Sequence, residues 1–196
     1  ALCFARLNYN AKIKNNPSIL VNWRRDFKNF FKKTFYKLVE LYGYFLFKEY
    51  RRIERATSIY HKKVQKSESI QGFIDLLKQE QPDFVMTTHQ RSTYNIPLFA
   101  AAKKLNITSV SVIYSWDNMP KARIPYYSDY FMVWSEYMKS EFQDYYPEID
   151  LNSVKITGTP QFEFYLDSSI IKEKSEFCKE HGLDTNKPII CFSGDD

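Results

Sequence analysis

The 196-residue sequence has little cysteine, little glycine and no long apolar run. Its three cysteines, Cys3, Cys178 and Cys191, are far apart and lack the paired spacings of zinc sites and redox dithiols. We therefore expect reduced thiols in a cytoplasmic protein. The longest apolar run in the first half, residues 41–47, is much shorter than the roughly 20 residues of a membrane-spanning helix. We expect neither a spanning helix nor a signal peptide, and thus a soluble or peripheral protein.

Several catalytic motifs are also absent. With five glycines in all, the chain shows no glycine-rich phosphate loop, and it shows no metal-ligand cluster or nucleophile elbow. It begins without methionine and ends just after a strand-like run, so we expect a fragment of a longer protein.

Positive charge is concentrated in one segment. Residues 22–66 contain 13 Lys or Arg and 4 acidic residues, a net charge of +9, so the rest of the chain sums to −4 against the total of +5. Apolar residues recur there at helical spacing, with lysines between them. The pattern predicts a long basic helix rich in aromatic residues: Phe27, Phe30, Phe31, Phe35, Leu38, Leu41, Tyr42 and Phe45, with Lys28, Lys32, Lys33 and Lys37.

Three interpretations of this basic helix remain open. It can pack on the domain with its lysines in solvent, which is the commonest arrangement and the one we favour. It can instead lie on an anionic membrane surface, where each nearby Lys or Arg contributes about 1 kcal/mol. Nucleic acid is the least favoured partner, because no recognisable binding module accompanies the basic residues.

From Ser69 onward, short helix and strand patterns alternate. Helices are predicted at 69–81, at 92–107 with Ser92 or Thr93 as its cap, directly after the third strand and ending by Pro147, and at 168–183. Strands are predicted at 83–89, 108–116, 128–134, 153–165 and 187–192. Such alternation indicates a Rossmann-like α/β fold, an open parallel sheet with helices on both faces. We divide the chain into a first domain, 1–165, and a connecting helix and first strand of a second domain, 166–196.

Ligands bind such sheets beyond the carboxyl ends of the strands. His89 follows the first of these strands, and histidine as a residue type ordinarily exchanges a proton close to neutral pH, so His89 is the candidate general base. Gln90 and Arg91 beside it are candidate substrate-binding residues. The structural alternative is a histidine in a surface turn.

The next strand runs into Ser115, Trp116, Asp117 and Asn118. Trp116 offers a flat face for a sugar ring, and the polar residues suit sugar hydroxyls or the orientation of His89, with Asp117 as a second catalytic candidate. The same residues also explain a simple turn, since Asp and Asn bond their own backbone and Pro120 forbids a helix.

The later strand ends supply the remaining candidates. Ser135 and Glu136 follow the third strand, where Ser135 is equally a plain helix cap. Gly158 and Thr159, with Pro160, predict a tight turn after the fourth strand, and Gln161 follows it.

Five stretches together resemble a known group of enzymes: "PDFVMTTHQR", "SVIYSWDN", "DYFMVWSEYMKSE", "VKITGTPQFEFY" and "GLDTNKPIICFSGD". Their succession resembles the N-terminal half, and the first strand of the C-terminal half, of GT-B-type glycosyltransferases. Among these it is closest to bacterial surface-polysaccharide and CDP-glycerol glycerophosphotransferase-like enzymes.

The resemblance implies a glycosyltransferase with a cleft between two domains. The first domain would hold a lipid-linked or polysaccharide acceptor, and the second a nucleotide-activated sugar, for bacterial surface glycan synthesis at the inner face of the cell membrane. His89 or a nearby acid would deprotonate the acceptor, oriented by Asp117, Asn118 and Gln161. Neither a cofactor nor a metal is implied, because helix N-termini and basic side chains usually neutralise the leaving diphosphate in this fold.

Two alternatives stay open. A non-hydrolysing nucleotide-sugar 2-epimerase has the same architecture, but its acidic and histidine constellation is not visible in these loops. The other is a non-catalytic domain that binds a sugar or a partner.

Overall fold

The computed structural model describes residues 1–23, 27–192 and 194. Residues 24–26 of the predicted basic segment, and residues 193, 195 and 196 after the last predicted strand, lie outside the described residues. The chain divides into two compact units, Ala1–Gly158 and Thr159–Asp196. The sequence predicts a domain boundary after Tyr165, with the acceptor side before it and the donor side after it. That division stays a prediction.

The first unit contains a four-stranded sheet. Its strands are β1 (Phe84–Thr87), β2 (Thr108–Val112), β3 (Tyr130–Val133) and β4 (Val154–Ile156). They lie in the order β1-β2-β3-β4, and every neighbouring pair is parallel. The predicted Rossmann-like α/β fold is confirmed.

Helices α5 (Asn95–Lys104) and α6 (Glu136–Tyr145) contact the sheet, and α4 (Gln71–Glu80) packs on α5. The alanine-rich centre of α5 is buried against β1 and β2, because small side chains allow a helix to approach a sheet closely. The predicted cap differs: Tyr94 occupies the N-cap position, and its N–H donates to the Ser92 hydroxyl at 3.3 Å.

Two separate apolar clusters hold these layers together. One joins α4 and α5, with Phe99 and Tyr126 as its largest buried side chains. The other joins β3, β4 and α6 around Phe131, Phe142 and Tyr146. Each buried aromatic side chain of this kind contributes about 1.5–3 kcal/mol of hydrophobic stabilisation.

The basic helix predicted from Phe27 to Phe45 corresponds to α2 (Phe30–Phe47), and the rest of the basic segment forms a second helix, α3 (Tyr50–Gln65). The helix α2 begins at Phe30 because the Asn29 side chain accepts a hydrogen bond from the Lys32 N–H at 3.2 Å. It ends before Glu49, whose extended backbone starts α3. Both helices pack on α1 (Leu2–Ile13).

The end of the first unit and the second unit contain less strand than predicted. The strand β4 stops at Ile156, because Gly158 has a φ of 76° and Pro160 has no N–H to continue a ladder. Two 3-10 helices follow, Pro160–Leu166 and Ser168–Ile170, and then α7 (Lys174–His181). Residues 187–192 pair with no described strand, so the strand predicted there is not formed in the described part of the chain.

Candidate functional site

The connection from β2 to β3, residues 113–129, crosses between parallel strands without a helix. Buried Met119, Ile124 and Tyr126 attach it to the domain. Long irregular connections in compact domains are usually functional, since regular helices suffice for a simple crossover. This connection carries the predicted stretch from Ser115 to Asn118.

His89 lies in an exposed turn directly after β1. Its carbonyl accepts a hydrogen bond from the Asn95 amide at 2.8 Å, and its N–H donates to the Thr87 hydroxyl at 3.1 Å. Its ring centroid is 5.6 Å from that of Tyr114. The backbone is therefore fixed while the imidazole faces outward. No hydrogen bond joins His89 to Asp117 or to any other carboxylate within the described residues.

Gln90 and Asn118 are the most buried of the predicted site residues, at 3% and 1% exposure. The side-chain Oε1 of Gln90 accepts a hydrogen bond from the Tyr114 N–H at 3.0 Å, which ties the loop after β1 to the end of β2. The Gln90 amide nitrogen and both amide atoms of Asn118 have no hydrogen-bond partner among the described residues. Buried polar atoms in this state cost about 1–3 kcal/mol each, so a bound ligand or water would stabilise them.

Asp117 is half-buried and accepts a hydrogen bond from Lys121. Burial alone would raise the pKa of Asp117, but hydrogen bonds from Lys121 and Ser115 and the charges of Lys121 and Arg91 hold it below its usual range. Asp117 is thus an ionised carboxylate that is already paired, a state that suits positioning better than proton abstraction. Trp116 nearby is 66% exposed.

The other predicted site residues follow the third and fourth strands in the sequence, and their contacts differ from those of Gln90, Asp117 and Asn118. Ser135 is the N-cap of α6, where its hydroxyl accepts a hydrogen bond from the Met138 N–H at 3.3 Å, and exposed Glu136 opens the helix. Gly158 ends the first unit. Thr159 and exposed Gln161 belong to the second, at the start of its first 3-10 helix.

A buried ion pair that the sequence did not indicate joins Arg6 of α1 to Glu148. Arg6 also donates to the hydroxyls of Tyr50, at 3.1 Å, and Tyr127, and both tyrosines donate to Glu148. Burial alone would raise the pKa of Glu148, but Arg6 and the two tyrosines lower it. The cluster ties α1, α3 and the segment after α6 to the loop that follows β2.

A cavity of about 880 Å³ lies beside this cluster, within the first unit. Its wall is formed by α1, α2, α3, the turn after β1 and the loop after β2. Most of the wall is apolar, including Leu2, Tyr42, Phe45, Leu46, Ile59, Tyr60, Ile124 and Pro125. Six basic residues line it, Arg6, Arg52, Arg55, Lys63, Arg91 and Arg123, and none of the described lining residues is acidic.

The outer face of α2 continues from the cavity as an exposed apolar surface. Tyr42 and Phe45 belong to both, and the remaining members of this α2 face are Phe30, Phe31, Phe35, Leu38 and Leu41, each more than half exposed. The predicted aromatic stripe therefore faces outward rather than into the domain. In the described part of the chain, no helix is long and apolar enough to cross a membrane.

Sequence patterns could not reveal the cavity or the Arg6 cluster. Arg6 and Glu148 are separated by 142 positions, and Arg123 follows no strand directly. The one signal was the cluster of basic residues in 22–66, which supplies Arg52, Arg55 and Lys63. No group of three or more potential metal ligands occurs among the described residues, and the expectation of a metal-free site stays a prediction.

Comparison with known families assigns the chain. Residues 8–160, well over half of it, match the family described as Monogalactosyldiacylglycerol (MGDG) synthase. The chain belongs to the MGDG synthase family. This is a family of GT-B glycosyltransferases, so the predicted GT-B resemblance and glycosyltransferase class are confirmed. The closer likeness to surface-polysaccharide and CDP-glycerol enzymes stays a prediction. No curated protein and no solved structure matched the chain.

Proposed function

We propose that this chain is the acceptor-side part of a glycosyltransferase that moves a sugar from a nucleotide-activated donor to a membrane lipid. The observation that carries the proposal is the continuity between the cavity and the exposed α2 face through Tyr42 and Phe45. A lipid acceptor leaves the bilayer at such a junction without exposing its acyl chains to water.

The acceptor in this proposal is a lipid rather than a polysaccharide, the other predicted possibility. A volume of about 880 Å³ with a mostly apolar wall suits acyl chains better than a hydrated glycan. The MGDG synthase family is named for a glycolipid product built on diacylglycerol, which supports a glycerolipid acceptor. A role in bacterial surface glycan synthesis stays a prediction.

The membrane contact in this proposal is the α2 face. Its aromatic side chains suit the headgroup level of a bilayer, and Lys28, Lys32, Lys33 and Lys37 suit anionic lipid. Peripheral binding at the inner face of the cell membrane is part of this proposal, and the basic composition of residues 22–66 supports it.

The chemistry is a displacement at the sugar carbon. The bond from that carbon to the nucleoside diphosphate breaks, a bond to the acceptor oxygen forms, and the acceptor proton passes to a base. His89 is the proposed base because it is exposed beside Arg91, which reaches the cavity. Asp117, Asn118, Gln90 and Trp116 are proposed to orient substrate, and Ser135, Glu136, Thr159 and Gln161 remain candidates.

Vesicle sedimentation tests the membrane contact. The chain should sediment with vesicles containing anionic phospholipid at low salt and be released as salt screens the lysines. Phe31→Ser with Phe35→Ser should abolish sedimentation, whereas Tyr137→Ser, an equally exposed aromatic on α6, should not. Equal binding by all variants would refute the α2 contact.

Turnover of the full-length protein tests the base. His89→Ala should lower the turnover number by about 100-fold or more, with little change in acceptor KM. His181→Ala, an exposed histidine on α7, is the matched control and should leave turnover unchanged. An unchanged rate for His89→Ala would assign proton transfer to another group.

A further inference from the structure

We infer that the cavity selects an amphiphile whose headgroup carries an acidic group, such as a phosphate ester, next to its acceptor hydroxyl. This inference rests on the proposed lipid acceptor and specifies that the headgroup of that lipid is negatively charged. The family name points to a product built on uncharged diacylglycerol, so an anionic acceptor would distinguish this chain.

The first support is the uncompensated charge of the cavity. Two of its six basic side chains are already paired, Arg6 with Glu148 and Arg52 with Glu49 at 3.3 Å. Arg55, Lys63 and Arg123 form no ion pair with any described residue. A cleft lined by charge of one sign has a positive potential, which favours a bound anion.

The second support is Arg123, which lies half-buried in the loop after β2. Its Nε atom is fully shielded from solvent and has no hydrogen-bond partner among the described residues. Ala122 before it is buried and has a φ of 53°, a left-handed conformation that is strained for a residue with a Cβ. A guanidinium in this setting is suited to a two-pronged contact with phosphate or carboxylate oxygens.

The third support is the arrangement of charge relative to the apolar wall. Arg55 and Lys63 on α3 and Arg91 after β1 are exposed, whereas Tyr42 and Phe45 border the α2 face. One ligand can thus place its chain against the aromatic side and its acidic headgroup among the basic side chains. Arg91 lies in the same turn as His89, which brings that headgroup to the proposed base.

Two water-soluble probes that differ only in the phosphate test the inference. Monodecanoylglycerol phosphate and monodecanoylglycerol both carry a free hydroxyl, and both are titrated calorimetrically into the chain below their aggregation concentrations. The phosphate form should bind at least about tenfold more tightly, the effect of one charge-assisted contact. Glycerol phosphate, which lacks the acyl chain, should bind at least about tenfold more weakly than the full amphiphile.

Variants assign the preference to the basic side chains. Arg123→Gln and Arg55→Gln should each reduce the preference for the phosphate form by about tenfold and change binding of the neutral probe less than about twofold. Lys104→Gln removes an exposed positive charge at the end of α5, outside the cavity, and is the matched control. Arg55 is exposed on α3, so its variant tests the inference even where Arg123→Gln unfolds the loop.

The outcomes separate the inference from the proposed function. Equal affinity for both amphiphiles overturns the anionic headgroup while leaving the lipid acceptor intact. Glycerol phosphate binding as tightly as the amphiphile overturns the inference in favour of a simple anion site. Binding of neither amphiphile overturns both proposals.

Discussion

Two polar regions of the first unit differ in how their hydrogen bonds are used. In the Arg6–Glu148 cluster, the charged groups and the hydroxyls of Tyr50 and Tyr127 bond to one another. In the loops after β1 and β2, the buried amides of Gln90 and Asn118 leave hydrogen-bonding atoms without a partner. The first region is internally complete, and the second has capacity for a ligand.

We therefore expect the Arg6–Glu148 cluster to contribute to stability and the loops after β1 and β2 to contribute to ligand binding. Buried charges that satisfy each other fix the relative positions of the elements that carry them, and removing one partner leaves the other uncompensated. Buried amide atoms without a hydrogen-bond partner lower the stability of the free chain, and a ligand that bonds to them offsets that cost. We therefore expect mutation of Glu148 and mutation of Asn118 to change stability in opposite directions.

The largest expected effect is on the Arg6–Glu148 cluster. Glu148→Gln leaves Arg6 charged and buried without its counter-ion, so the free energy of unfolding should fall by about 3–5 kcal/mol. Arg6→Met combined with Glu148→Leu should recover much of that loss, because no charge then remains buried. Urea denaturation measures both.

A matched control uses an exposed ion pair. Lys103→Met breaks the contact between Lys103 and Asp129, in which the lysine is 58% exposed, and should change the unfolding free energy by no more than about 1 kcal/mol. A loss for Glu148→Gln no greater than the loss for this control would contradict the structural role of the cluster.

A second prediction contrasts Glu148 with Glu141, a buried carboxylate of α6 whose Oε2 atom has no partner among the described residues. Burial raises the pKa of Glu141 to about 7, the Asp144 charge adds to this rise, and Lys14 opposes it. The folded chain thus keeps a proton that the unfolded chain loses near pH 4.3. The contribution of Glu141 to stability should be fully present below that pH and be lost as the pH rises through about 7, by on the order of 2–3 kcal/mol.

Glu148 acts at the other end of the pH range. Because the pKa of Glu148 is lowered in the folded chain, its contribution to stability is fully present above its unfolded pKa. That contribution is lost as the pH falls below the unfolded pKa and through the folded pKa. Denaturation midpoints measured from pH 3 to pH 8 separate the two groups. Glu141→Gln should remove only the loss toward neutral pH, and an unchanged profile in that variant would assign the titration to another group.

The sequence predicted the parts of the molecule that depend on local pattern. Alternating helix and strand signals locate β1, β2, β3 and α6, and the rule of strand ends selects Gln90 and Asn118, which are buried. Which functions these residues serve stays a prediction. Ser135 was recognised as a possible cap, and the structure has it in that position.

The rest depends on contacts between distant parts of the chain. The cavity forms only where α1, α3 and the loop after β2 meet. The spacing of apolar residues along the chain does not indicate that Arg6 lies beside Tyr127. The favoured interpretation, that the apolar face of the basic helix packs on the domain, did not predict the exposed α2 face. Amphipathicity shows that a helix has an apolar face but not whether that face is covered. The strand predicted at 153–165 ends at Ile156, because the left-handed Gly158 of the predicted turn ends the ladder.

A third prediction tests how closely the helices must cross to hold Arg6 in place. A Cβ at Gly43 of α2 would lie 2.6 Å from the Phe4 ring of α1, so Gly43→Ala must displace that ring or one of the two helices. It should lower the unfolding free energy by about 1–3 kcal/mol. Gly72→Ala is the control, because a Cβ there meets no atom within 4 Å, and it should raise stability by about 0.5–1 kcal/mol. Equal effects at the two glycines would show that the α1–α2 crossing tolerates displacement.

The smallest expected change in stability is at Asn118, and it decides the comparison. Asn118→Leu replaces two unpartnered buried amide atoms with an apolar side chain of similar size, so the free chain should gain between zero and about 2 kcal/mol in urea denaturation. Gln90→Met removes the acceptor for the Tyr114 N–H and should lose about 1 kcal/mol. In the full-length protein, Asn118→Leu should nevertheless lower kcat/KM by about tenfold or more, because the ligand loses a hydrogen-bonding partner. A stabilised variant with unchanged kcat/KM would mean that the unused amide of Asn118 serves no substrate.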